Sequence, residues 1–150
     1  MENKEKVQVV IIAENQKNPQ VLILQMNEKR SSFWQNVTGS VEPEDTKLLN
    51  AAKRELSEET NINNAKIREL DIQFKFIDQY NNHVIEYCFL AIIPSSEVNI
   101  VLDPGEHQNY RWVALNDVSK DIDVHSVKTK KCVHINSIKD YKKLKEINFV

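Results

Sequence analysis

The stretch GSVEPEDTKLLNAAKRELSEETNI, residues Gly39 to Ile62, decides how this chain is read. Val41 to Asp45 (VEPED) is acidic and contains a proline, so it is a loop. Helix signals follow at once: Asp45 or Thr46 can cap the first turn, and Leu49, Ala52 and Leu56 recur three and four residues apart as one apolar stripe. Asn61 follows the last periodic residue and tolerates the left-handed conformation that ends helices. On this helix Glu55, Glu58 and Glu59 stand at i, i+3 and i+4, so their side chains share a face. Like charges so placed repel by a few tenths of a kcal/mol per pair, and a hard divalent cation with oxygen ligands reverses that sign. Arg54, four residues before Glu58, can partly neutralise the cluster. Glu59 borders the apolar stripe and should point into the seam beneath the helix, where an unpaired charge is expensive.

Outward from this helix the chain alternates strand-like runs and turns. Val7 to Ala13 is an apolar, β-branched run, and Val21 to Met26 forms a second strand hairpinned to it through the turn Asn15 to Pro19. Asn27 to Ser32 is polar loop, and Phe33 to Thr38 is short, aromatic and β-prone. After the helix, Lys66 to Ile77 and Val84 to Ile93 form a second hairpin across Asp78 to His83. Val98 to Leu102 and Tyr110 to Leu115 read as short strands, Asn116-Asp117 as the cap of a short helical turn, and about Val124 to Ile147 as a long, basic, amphipathic helix. The run Lys128-Thr129-Lys130-Lys131 on it reads as a solvated face.

The bulk numbers fit one mixed α/β domain over residues 1–150. Hydrophobic residues are 41% and charged residues 28%, and the net charge of −2 excludes a broad nucleic-acid footprint. An anionic substrate must then be held by local devices such as a metal ion. No apolar run is long enough to span a membrane or form a signal peptide, so a cytoplasmic location is expected. Cys88 and Cys132 have no metal spacing and read as reduced thiols. The chain has only two glycines, Gly39 and Gly105, each close to carboxylates.

The segment from Gly39 to Ile62 resembles the Nudix box, G-x5-E-x7-R-E-U-x-E-E-x-G-U with U aliphatic. Gly39, Arg54-Glu55-Leu56, Glu58-Glu59 and Ile62 fit it. Asp45 stands in place of the first Glu, eight rather than seven residues separate it from Arg54, and Asn61 replaces the second glycine. The extra residue should lengthen the loop or the first helical turn. The resemblance implies an α/β/α sandwich with a mixed central sheet. It implies Mg²⁺, with Mn²⁺ as a substitute, held by Glu55, Glu59, the Gly39 carbonyl and Glu58. Arg54 and Asp45 match an orienting ion pair. The reaction implied is hydrolysis of a diphosphate linkage, in which a metal ion orders water and a carboxylate accepts its proton.

A second resemblance, inside that family, is to the bacterial dihydroneopterin triphosphate diphosphatases. It rests on FWQNVTGSVE (Phe33 to Glu42) and on Gly105-Glu106-His107 followed by Tyr110-Arg111-Trp112-Val113. It implies Glu106 as a metal ligand or catalytic carboxylate from outside the box, carried on a loop able to swing over the cluster. The base is then Glu106 or a box glutamate such as Glu55 or Glu58. Phe33 and Trp34 offer faces to a flat heterocycle, and Gln35 and Asn36 offer amide edges. His107 reads as a structural or substrate-side histidine and Trp112 as core. Met26-Asn27 occupies the place where many relatives carry an arginine, which leaves Lys29 or Arg30 to grip phosphate. The partner expected is a small-molecule triphosphate, with no nucleic-acid polymer and no membrane, and a monomer or homodimer as the assembly. The alternatives are a (deoxy)nucleoside triphosphate pyrophosphohydrolase, a dinucleoside polyphosphate hydrolase, or a Nudix-shaped binding module without catalysis.

Overall fold

The structure, a computed structural model, describes residues 3–30, 32–118 and 127–147, with side chains described through 29, from 32 to 118 and from 133 to 145. The described residues form seven strands and two α-helices: β1 (Asn3–Ala13), β2 (Gln20–Met26), β3 (Trp34–Gln35), β4 (Val37–Ser40), α1 (Leu48–Thr60), β5 (Lys66–Ile77), β6 (His83–Ile93), β7 (His107–Ala114) and α2 (Val127–Ile147). A 3-10 turn at Glu28–Arg30 shapes the loop expected after β2.

All seven strands form one mixed sheet. β1 runs parallel to β6 along its whole length, while β1–β2 and β5–β6 are the two antiparallel hairpins read from the sequence. β1 and β2 pair only through Ile11, Ile12 and Ala13 before diverging. The opened wedge is filled by the glycine-bearing segment: β4 pairs with the first half of β1 and β3 with the end of β2. β7 takes the other side of β2.

Alternation along the inner strands explains why they read as near-continuous apolar runs. Val7, Val9 and Ile11 of β1, Leu22 and Leu24 of β2 and Phe89 and Ala91 of β6 face α1, where Ala51, Ala52 and Leu56 meet them. Val10, Ile12, Val21, Ile23, Cys88 and Leu90 face the other way, toward Val133 and Tyr141 of α2. Both faces are therefore covered, and the sandwich with a mixed central sheet stands as expected.

Two local expectations need correction. Val98–Leu102 is not a strand: Ile100 and Leu102 pack on the α1-side core, and Val101 N–H donates to the Thr60 carbonyl instead of to a ladder. α1 starts at Leu48 with Lys47 at the cap and no side-chain cap bond, because the carboxylate of Asp45 is engaged elsewhere. Its other end is as read, with Asn61 left-handed at φ 65° and its N–H on the Ser57 carbonyl. Asn116-Asp117 sit in a turn in which Asp117 N–H donates to the Ala114 carbonyl, with 3-10 geometry at Val118, where this described stretch ends. Cys88 is a buried free thiol whose pKa burial pushes up to about 12, and the side chains of Cys132 and of the 128–131 run lie outside the described residues.

Candidate functional site

A cleft at the end of the sheet is lined by β1, β4, α1 and the turn before β7. It holds six carboxylates: Glu42, Glu55, Glu58, Glu59, Asp103 and Glu106. Met26, Gln35, Thr38, Gly39, Ser40, Lys6 and His107 complete the lining.

The helix face predicted from spacing is organised by Arg54. Its guanidinium donates to both carboxylate oxygens of Asp45 at 3.2 and 2.9 Å, to Glu55 at 3.0 Å, and to the Ser40 carbonyl at 2.8 Å. It also reaches Glu58 at 3.3 Å. These bonds hold the Asp45 carboxyl below its ordinary pKa. Asp45 closes a turn with Glu42, accepting the Glu42 N–H at 2.8 Å, and α1 begins three residues later. The ion pair thus survives both the shorter acid and the longer spacing.

Glu55 and Glu59 are buried, and Glu58 is 54% exposed at its side chain. Glu55 lies directly over Gly39: a Cβ on Gly39 would overlap its carboxyl carbon and both its oxygens. Glycine at 39 gives the Glu55 carboxyl its room by this close approach rather than by a positive φ. Burial, only partly offset by Arg54, raises the Glu55 pKa to about 7. Burial also raises Glu59, to about 9, reinforced by a hydrogen bond to the Glu106 carboxyl and by the charges of Glu106, Glu55 and Asp103. A hydrogen bond between two carboxyls needs a proton on one of them, so the crowding is relieved by a proton where no cation is present.

His107 completes the cluster. It is buried, its Nδ1 lies 2.7 Å from Glu59 Oε2, and its Nε2 is 3.5 Å from Gln35 Nε2. Ligand atoms of Glu59, Glu106 and His107 all lie within 4.8 Å of one another. The donor set, oxygen-rich and short of cations, fits a hard divalent ion. Glu55, Glu59 and Glu106, with the Gly39 carbonyl and His107 beside them, are the residues that would hold it.

The turn carrying Glu106 is held against the cluster by hydrogen bonds. Asp103 accepts the Gly105 N–H on its side chain and the N–H groups of Glu106 and His107 on its carbonyl. Asn27 then ties the turn to β2: its Nδ2 donates to the Gly105 carbonyl at 2.8 Å and its N–H to the Glu106 carbonyl at 3.0 Å.

The sequence-derived binding residues divide. Gln35 lines the cleft. Trp34, one residue away on β3, faces the α2 side, with the Arg111 guanidinium 4.3 Å over its ring. Phe33 is half-buried and offers its carbonyl to Met26 N–H. Asn36 is buried and donates to Gln8. Lys29 is exposed on the 3-10 turn and does not line the cleft, and the side chain of Arg30 lies outside the described residues. Sequence reasoning missed Lys6, Asp103 and Asn27. Asp103-Pro104-Gly105 carries a turn signature that points to Asp103, whereas nothing local singles out Lys6.

Solved structures share this architecture. A NUDIX hydrolase from Listeria monocytogenes superposes with a TM-score of 0.73 at 24% identity, covering 91% of this chain and 94% of its own. The dihydroneopterin triphosphate pyrophosphohydrolase of E. coli gives 0.67 at 27% identity, covering 87% and 94%. An Ap4A hydrolase from C. elegans gives 0.66 at 22% identity, covering 88% and 97%. No curated protein sequence matches at a significant level. The NUDIX domain model matches residues 4–131, most of the chain and all of the cleft just described, and the chain therefore belongs to the NUDIX family.

Proposed function

We propose that this chain is a Mg²⁺-dependent pyrophosphohydrolase that converts dihydroneopterin triphosphate to dihydroneopterin monophosphate and pyrophosphate. Membership of a hydrolase family supports the reaction class, and the buried carboxylates facing one another support metal dependence. One observation carries the substrate assignment: the two segments that resemble the dihydroneopterin triphosphate enzymes meet in one cleft. Gln35, Thr38, Gly39 and Ser40 come from the first, and Glu106 and His107 from the second. The E. coli enzyme of that activity is 27% identical over most of this chain.

In the proposed reaction Glu55, Glu59 and Glu106, with the Gly39 carbonyl and help from Glu58, hold the metal. Bound there, Mg²⁺ supplies charge neutralisation at phosphorus and an ordered water. Arg54 fixes the rotamers of Glu55 and Glu58 through the bonds described above and is itself anchored by Asp45. Glu106 or a box glutamate accepts the proton of the attacking water. His107 Nδ1 lies against Glu59 Oε2 and would orient that carboxyl once the pair shares a proton.

The test is pyrophosphate release from dihydroneopterin triphosphate, dATP and diadenosine tetraphosphate, each with Mg²⁺, with Mn²⁺ and with chelator. The pterin triphosphate should show the highest kcat/KM and no turnover in chelator. A higher kcat/KM for dATP or for the dinucleotide moves the assignment to the nucleotide-acting branches, and binding without turnover identifies a module without catalysis.

A further inference from the structure

The structure assigns to Lys6 the grip on the substrate phosphates that the metal does not hold. This deepens the reading of the cleft as a polyphosphate site and rests on it. Lys6 is half-buried and is the only lysine or arginine among the described residues that line the cleft, where it shares the lining with six carboxylates. A cation in such company would be expected to pair, yet Lys6 makes no ion pair or side-chain hydrogen bond among the described residues. Its cross-strand neighbours explain why. On β6 its register partner is Glu86, whose carboxylate accepts the amide of Gln8. On β4 its partner is Ser40, whose carbonyl is taken by Arg54.

Arg54 cannot serve, because its donors are committed to Asp45, Glu55, Glu58 and Ser40. Met26 and Asn27 offer no cation after β2, and Asn27 is spent on the Gly105–Glu106 turn. A polyphosphate remains anionic after one divalent ion has bound it, and its outer oxygens then need a positive partner. β4 brings this about: alternation puts Gly39 on the α1 face under Glu55, and Thr38 and Ser40 on the opposite face with Lys6. The cleft therefore runs from the acidic helix around the end of the sheet to a single ammonium. Lysine is suited to that place as a compact point charge on a flexible stem.

Lys6→Met, Lys6→Glu and Lys6→Arg separate this from a structural role. The probes are inorganic pyrophosphate with Mg²⁺, measured by titration calorimetry, and steady-state kinetics on whichever triphosphate the wild-type protein hydrolyses. Loss of one charge-assisted phosphate contact should weaken Mg²⁺–pyrophosphate binding and raise KM about tenfold in Lys6→Met. The effect should be larger in Lys6→Glu, within about threefold of wild type in Lys6→Arg, and kcat should stay within about twofold, as expected for removal of uniform binding. Thermal melts of Lys6→Met and Lys6→Arg should match wild type, since no partner among the described residues is lost. Unchanged pyrophosphate affinity in Lys6→Met overturns the assignment, as does a fall in kcat without a rise in KM, or a wild-type protein that binds no Mg²⁺–pyrophosphate. A protein that binds pyrophosphate through Lys6 but hydrolyses no triphosphate refutes the proposed reaction while leaving Lys6 in place.

Discussion

The two faces of the central sheet bury polar groups in opposite ways. On the α2 side, Asn36 donates to Gln8 at 2.7 Å and Gln8 donates to Glu86, so donor meets acceptor in a chain that is almost wholly buried, in which Asn36 Oδ1 is the one buried side-chain polar atom without a hydrogen-bond partner among the described residues. On the α1 side, Glu55, Glu59 and Glu106 bring acceptor against acceptor, and two of the three are pushed to pKa values near 7 and 9. A satisfied buried network stabilises a unique packing. An unsatisfied one of a single sign costs stability and is retained where something else completes it. The contrast distinguishes a structural polar core from a metal site without reference to any motif.

The sharpest break of this contrast is Glu59→Gln. It puts a neutral amide of the same shape where a metal ion would need a carboxylate. Turnover should fall about 10²–10⁴-fold, the range for loss of a catalytic carboxylate. The melting temperature should hold or rise, because a raised carboxylate pKa marks a charge that burdens the fold. A near-wild-type rate in a coupled phosphate-release assay would remove Glu59 from the site.

Gly39→Ala comes next. The added methyl overlaps the Glu55 carboxyl, the far end of a side chain held by Arg54, so either the carboxylate gives up that bond or β4 must move. Overpacking of this kind costs about 1–3 kcal/mol, read as a lower urea midpoint. Activity should drop by at least about tenfold, in line with disturbance of a metal ligand. Full activity would show that Glu55 tolerates displacement and is not held where it matters.

A third test follows from linkage. The folded-state pKa values of Glu55 (about 7) and Glu59 (about 9) lie above the ordinary 4.5, so between those limits the native state holds more protons than the unfolded chain. Stability of the metal-free protein is therefore highest at the acid end of that window and falls as pH rises from about 4.5 through 7 to 9. Mg²⁺ binds the deprotonated pair, so at pH 8 it should restore the lost melting temperature, by about 2.7 kcal/mol at a hundredfold excess over Kd. At pH 5, where the ligands are protonated, the gain should nearly vanish. Equal Mg²⁺ stabilisation at both pH values would break the link between these two glutamates and the ion.

What the chain made legible follows the same divide. β1, β2 and β6 were readable because they are buried on both faces, and α1 because its stripe, its left-handed Asn61 and its i, i+3, i+4 glutamates agree with one another. Val98–Leu102 misled because β-branched residues also serve a loop whose apolar side chains dock on a core. Trp34 and Gln35 were read together as substrate contacts, yet adjacent strand residues face opposite ways, and only Gln35 reaches the cleft. Lys6 was invisible because its role depends on β4 entering the wedge between β1 and β2, a long-range pairing that no local pattern announces.

The gentlest probe of the comparison acts on the satisfied face. Gln8→Ala leaves the Asn36 amide without its acceptor and Glu86 without the Gln8 donor, in a place closed to water. Orphaning buried polar groups costs about 1–3 kcal/mol each, so the urea midpoint should fall. Gln8 and Glu59 nevertheless lie on opposite faces and share none of these hydrogen bonds, so their effects should add. Mg²⁺ affinity should then stay within about twofold of wild type, since effects at independent sites add within about 0.5 kcal/mol. If Mg²⁺ binding weakened in step with stability, the two faces would be one coupled network, and a satisfied polar chain could no longer be separated from a metal site by which side of the sheet it occupies.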